Sequence, residues 1–106
     1  MGSIKQGTEF VTVKEPAEEA LLRSLWRLYF NPPRYKHMKF QEGGVISEGA
    51  NDNENKWRIV DGALELLQRD GKVHNRFTYT RASNSFYATG ESGKGIPNQY
   101  MSSTDD

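Results

Sequence analysis

The chain has 106 residues with 14 basic and 14 acidic side chains, so its formal net charge is zero and no bulk attraction to a polyanion or an anionic membrane follows. It contains no cysteine, which excludes disulfides, thiolate zinc sites and cysteine nucleophiles. The length suits one domain, no apolar run approaches the roughly 18–20 residues of a membrane-spanning helix, and the N-terminus lacks a signal pattern, so the expected setting is cytoplasmic.

Residues 1 to 15 show no sustained apolar pattern and are expected to form a flexible N-terminal segment, with Met1-Gly2-Ser3 resembling an expression remnant. From Pro16 a short helix is predicted through Ala17, Glu18, Glu19, Ala20, Leu21 and Leu22, because proline is preset for a first helical turn and acids favour the positive end of the helix dipole. It should stop near Ser24. Leu25 to Phe30 then alternates, with Trp26, Leu28 and Phe30 on one face, as a strand does; continued helix is the competing reading. Asn31-Pro32-Pro33 breaks either element.

Tyr35 to Phe40 reads as a second strand with Met38 and Phe40 on its apolar face, and Glu42-Gly43-Gly44 as the loop that returns through Val45 and Ile46. Residues 49 to 55 form a polar loop. Beyond it, Asp61-Gly62 and Asp70-Gly71 sit between alternating runs, the strongest short signal for hairpins, because type I′ turns need positive φ at both central residues. Counting back from these two turns sets Ile59 opposite Leu64, Arg58 opposite Glu65, Trp57 opposite Leu66, Leu64 opposite Phe77, Glu65 opposite Arg76 and Leu66 opposite Asn75. One face therefore carries Trp57, Ile59, Leu64, Leu66 and Phe77 with Asn75 as its odd polar member. The other carries Arg58, Glu65 and Arg76 as a solvent-facing charge row.

Phe86 to Thr89 completes about seven short antiparallel strands, an all-β up-and-down meander spanning residues 16 to 90 that must curl into a half-barrel or close into a small barrel to protect its edges. Residues 91 to 106, ending in Thr104-Asp105-Asp106, are expected to be a disordered tail.

The short helix followed by Ser24-Leu25-Trp26-Arg27-Leu28 and a regular meander resembles the lipocalin and streptavidin-like small ligand-binding barrels, with Ser24 standing where those families usually place Gly. That resemblance implies that Trp26 closes one end of a barrel. The run from Asn53 to Val73, with Trp57, Gly62 and Gly71, is also similar to short bacterial β-domains. Neither resemblance carries a catalytic residue over.

Candidate chemistry is sparse. Ala88-Thr89-Gly90-Glu91-Ser92-Gly93-Lys94-Gly95 imitates a phosphate-binding loop but lacks its first Gly, its Ser or Thr after Lys, and a following helix. Asn51-Asp52-Asn53-Glu54-Asn55 offers oxygen ligands without the spacing of a calcium loop, and is better suited to hydrogen-bond a ligand at a barrel mouth. His37 and His74 both alternate away from their strands' apolar residues, so solvent exposure is expected. A two-histidine metal site completed by Glu48 or Glu54 would need those strands to be adjacent.

Arg23, Arg27, Arg34, Lys36 and Lys39 lie in an acid-free stretch with Tyr29, Phe30, Tyr35 and Phe40, the composition expected of a single-stranded nucleic-acid surface; the core parity of Phe30 and Phe40 argues against it.

The reading these features favour is a noncatalytic β-barrel domain that binds a small amphipathic or carbohydrate-like molecule in its interior, with Trp26, Trp57 and Tyr79 as walls and Asn75 as the orienting group. No cofactor, metal or membrane partner is expected, and nothing marks an enzyme. The alternatives are a protein-interaction or accessory module without an internal ligand and, less favoured, a nucleic-acid-binding module.

Overall fold

A computed structural model describes residues 15–90 and 98–104. The N-terminal segment to residue 14, most of the phosphate-loop-like stretch and the two terminal aspartates lie outside the described residues. The helix α1 (Pro16–Arg23) precedes eight strands: β1 (Leu25–Asn31), β2 (Arg34–Gln41), β3 (Val45–Glu48), β4 (Lys56–Val60), β5 (Ala63–Leu67), β6 (Val73–Thr80), β7 (Ser85–Ala88) and β8 (Tyr100–Ser103). Each strand pairs with its sequence neighbour and β8 pairs back to β1, so the sheet is a closed antiparallel up-and-down barrel. The eighth strand corrects the expectation that residues 91 to 106 are a tail: Tyr100–Ser103 occupies the gap between β7 and β1 and leaves neither with an open edge.

The β4–β5 hairpin follows the expected register throughout, from Val60 opposite Ala63 to Trp57 opposite Leu66. Its turn residues Asp61 and Gly62 both have positive φ, 52° and 80°, as a type I′ turn requires. The next hairpin reaches the expected register by another route. Gln68 and Lys72 close a three-residue loop in which Gly71 N–H bonds Gln68 C=O and Gly71 alone takes positive φ, the type I turn with a left-handed glycine. That turn sets Leu67 opposite Val73, one residue off the two-residue count. A bulge then inserts His74, and Leu66 opposite Asn75, Glu65 opposite Arg76 and Leu64 opposite Phe77 follow as expected.

The charge row forms, with Arg58 Nε 2.7 Å and Arg76 Nη1 3.5 Å from the two Glu65 carboxylate oxygens. Glu65 is not solvent-facing, however. It is only 5% exposed, because β5 is buried on both faces and the two arginine side chains flank it.

The barrel interior is filled by Trp26, Leu28, Met38, Phe40, Leu64, Leu66, Phe77, Phe86 and Met101, all nearly inaccessible, as expected where an eight-stranded barrel is just wide enough for its own side chains. The helix plugs one end. Ala17, Ala20 and Leu21 join the core, and Trp26 donates its indole N–H to the Leu21 carbonyl at 3.0 Å, satisfying a C-terminal helix acceptor that has no intrahelical partner. The thinnest seam is β3–β4, with Val45 opposite Lys56 as its one register pair. There Trp57 bridges the gap: its indole N–H is shared between the Gln41 and Val45 carbonyls at 2.9 and 3.0 Å.

A polar cluster at the open mouth of the barrel

Because strand direction alternates, the β1–β2, β3–β4 and β5–β6 connections lie at the end opposite α1. At this mouth is a concavity of about 370 Å³ lined by Phe30, Lys36, Asn51, Asn53, Glu54, His74 and Gln99. Lys36 arrives there because it shares inward parity with Met38 and Phe40 on β2. His74 arrives because the bulge in β6 inserts it, overturning the alternation that predicts an exposed side chain; its side chain is 14% exposed.

Glu54 is delivered by the polar loop after β3. Asn51 Oδ1 accepts the backbone N–H groups of Asn53 and Glu54 at 2.9 and 2.7 Å, an Asx turn that curls the chain back on itself. The loop is then pinned from outside, by Asn55 N–H to Leu67 C=O, by Arg69 N–H to Asp52 C=O, and by the Arg69–Asp52 ion pair at 2.8 Å. Glu54 is thereby turned inward and is only 5% exposed. Its two carboxylate oxygens are divided between Lys36 Nζ at 2.6 Å and His74 Nε2 at 3.1 Å. A carboxylate this buried needs such partners, since desolvation of an unpaired charge is costly.

Below this layer lies Asn75, fully buried as the register requires. Its amide donates to Gln99 Oε1 at 2.7 Å, its Oδ1 accepts Arg76 N–H at 2.9 Å, and Gln99 in turn donates to the Phe30 carbonyl at 3.0 Å. Asn75 is therefore held by protein groups and supports the floor of the mouth through Gln99.

The four side chains expected to surround a ligand do not converge. Trp26 lies at the helix-capped end, edge-on to Phe86 at 5.1 Å. Tyr79 lies at that end too, with its ring against Phe86 at 4.9 Å and its hydroxyl bonded to Asn84 Oδ1 at 2.9 Å. Trp57 sits against the β2–β3 connection, bonded to the Gln41 and Val45 carbonyls, whereas Asn75 lies beneath the mouth, and none of the four is among the described residues lining its concavity. In the sequence Lys36 reads only as part of the basic stretch, although its parity with Met38 and Phe40 is the signal that could have placed it; His74 and Gln99 have no such signal, since a bulge and a segment without periodicity place them.

The two histidines do not meet. His37 is on the outer face against Tyr35, and among the described residues no group of three His, Asp or Glu side chains is arranged to hold a metal ion. No protein-family model, curated protein or solved structure matches this chain.

Proposed function

We propose that the barrel binds a small, uncharged, carbohydrate-like or amphipathic molecule at its mouth, without catalysis. The observation that carries this reading is the buried Glu54 carboxylate held between the partly exposed Lys36 and His74, set in a concavity whose volume falls within the range of roughly 300–1,000 Å³ common for small-ligand sites. The opposite charges of Lys36 and Glu54 compensate one another, which favours a ligand rich in hydroxyl groups over an ionic one. Asn51, Asn53, Lys36 and Gln99 supply donors and acceptors around it, and Phe30 supplies an apolar wall. Lipocalin-like and streptavidin-like barrels hold one small ligand inside the barrel, whereas side chains fill this interior, so the resemblance read from the sequence supports ligand binding by the barrel but not its position at the mouth.

The test is thermal unfolding with a panel of mono- and oligosaccharides and small amphiphiles, followed by calorimetry on any compound that raises the midpoint. A ligand at about 100 times its Kd stabilises the folded state by about 2.7 kcal/mol. Glu54→Gln should abolish that shift, while Tyr79→Phe at the opposite end should retain it. A panel that leaves the midpoint unmoved, or a shift indifferent to Glu54→Gln, would overturn the proposal.

A further inference from the structure

The outer wall of the barrel carries a feature separate from the mouth. The registers of β1 with β8 and of β7 with β8 place Tyr29 opposite Tyr100 and Tyr100 opposite Tyr87, and Tyr35 extends the same row onto β2. The rings touch in sequence: Tyr35 to Tyr29 at 5.1 Å, Tyr29 to Tyr100 stacked at 4.5 Å, and Tyr100 to Tyr87 stacked at 6.1 Å. The row crosses four strands, or roughly 14 Å at the usual strand spacing. Its two end members are the most open, Tyr35 at 46% and Tyr87 at 45% exposure.

Charge on this wall is one-sided. The five consecutive strands β2, β1, β8, β7 and β6 contain no Asp or Glu, although the whole chain is neutral. Arg27 lies in the next row with its guanidinium 5.4 Å from the Tyr35 ring centroid, and its buried Nε has no hydrogen-bond partner among the described residues. Lys39 extends the cationic side, although Glu48 faces it across β2 and β3, whereas Arg34 shares the inward parity of Lys36 and stands 6.0 Å over Phe30 at the mouth.

We propose that this wall binds single-stranded nucleic acid, with bases stacking on the exposed faces of Tyr35 and Tyr87 and phosphates following Arg27 and Lys39. Aromatic rings on a sheet supply sequence-tolerant stacking, and adjacent cations supply the backbone attraction that such ligands need. Sequence parity showed only Tyr29 and Tyr35 as candidates. Closure by β8 adds Tyr100 and Tyr87 and turns an isolated pair into a continuous stripe.

The experiment is fluorescence anisotropy of labelled oligouridine RNA and oligothymidine DNA titrated with the full chain at about 50 mM salt, then at rising salt. Micromolar binding that weakens with salt is expected. The double substitution Tyr35→Ala with Tyr87→Ala should weaken it by about tenfold or more, and Tyr35→Phe with Tyr87→Phe should leave it near wild type. Lys39→Gln should lower the salt slope by about one. Glu54→Gln, at the mouth, should leave nucleic-acid binding unchanged, so failure here and failure of the ligand proposal are distinguishable. Absence of binding at about 100 μM protein, or binding indifferent to the alanine pair in a variant whose unfolding midpoint is unchanged, overturns the inference. Self-association of the free protein that disappears in the alanine pair, without any nucleic-acid binding, would instead make the stripe a contact between copies of this chain and also overturn it.

Discussion

Gly49 opens the loop that carries Glu54, and its replacement by alanine separates two energies that are usually mixed. Its φ is +87°, and a Cβ added there would run into the His37 backbone carbonyl and stand 2.9 Å from Met38 Cγ. The first contact is with the backbone of a paired strand, so a side-chain rotation does not relieve it. A left-handed conformation costs an L-residue about 1–2 kcal/mol. Forcing extra volume into a packed site adds about 1–3 kcal/mol. Gly49→Ala should therefore destabilise the fold by about 2–5 kcal/mol, a fall in Tm of roughly 10 °C or more for a domain of this size.

Gly43→Ala is the internal control, since Gly43 has φ +83° but nothing within 4 Å of an added Cβ. It should cost only the conformational part, about 1–2 kcal/mol. Urea unfolding of both variants at 25 °C, monitored by circular dichroism and checked for unchanged slope, measures the difference. Costs that agree within about 0.5 kcal/mol, inside the scatter of ordinary surface substitutions, would refute the close approach of the loop to β2.

Leu21→Ala, which empties a fully buried position of α1, should cost about 2–5 kcal/mol in the same assay; a negligible effect would mean the helix is not docked on the barrel. A chain truncated after residue 98 loses β8 with its buried Met101 and exposes the edges of β1 and β7, so it should lose cooperative unfolding and aggregate, and a monomeric truncation with a sharp transition would contradict barrel closure. Asn75→Leu and Gln99→Met each remove one side of a buried hydrogen bond and should each destabilise by about 1–3 kcal/mol, whereas the double variant should cost less than their sum; strict additivity would show that the two amides are not coupled.

What could be read in the sequence is what local chemistry controls. Proline at the helix start, period-two alternation and glycine-containing turns act over a few residues, and they placed α1 and the first seven strands close to where they lie. Even the register of Leu64, Glu65 and Leu66 against Phe77, Arg76 and Asn75 was legible, although a three-residue turn and a compensating bulge produce it rather than the two-residue turn expected. The parity of Lys36 with Met38 and Phe40 carries the same kind of signal, but the basic residues around it make it read as part of a surface stretch.

Tertiary structure decided the rest. β8 has one fully buried apolar side chain, Met101, too little for a periodic signal, and it is a strand because β7 and β1 offer two unpaired edges. His74 faces the mouth because the mismatch between turn and register was absorbed at that residue. Glu54 is buried because Lys36 and His74, 18 and 20 positions away in the chain, neutralise and hold it, and Asn75 is satisfied by Gln99 across 24 positions. Such partners are set by closure of the sheet, which brings distant edges together at a loop-entropy cost that no local pattern records.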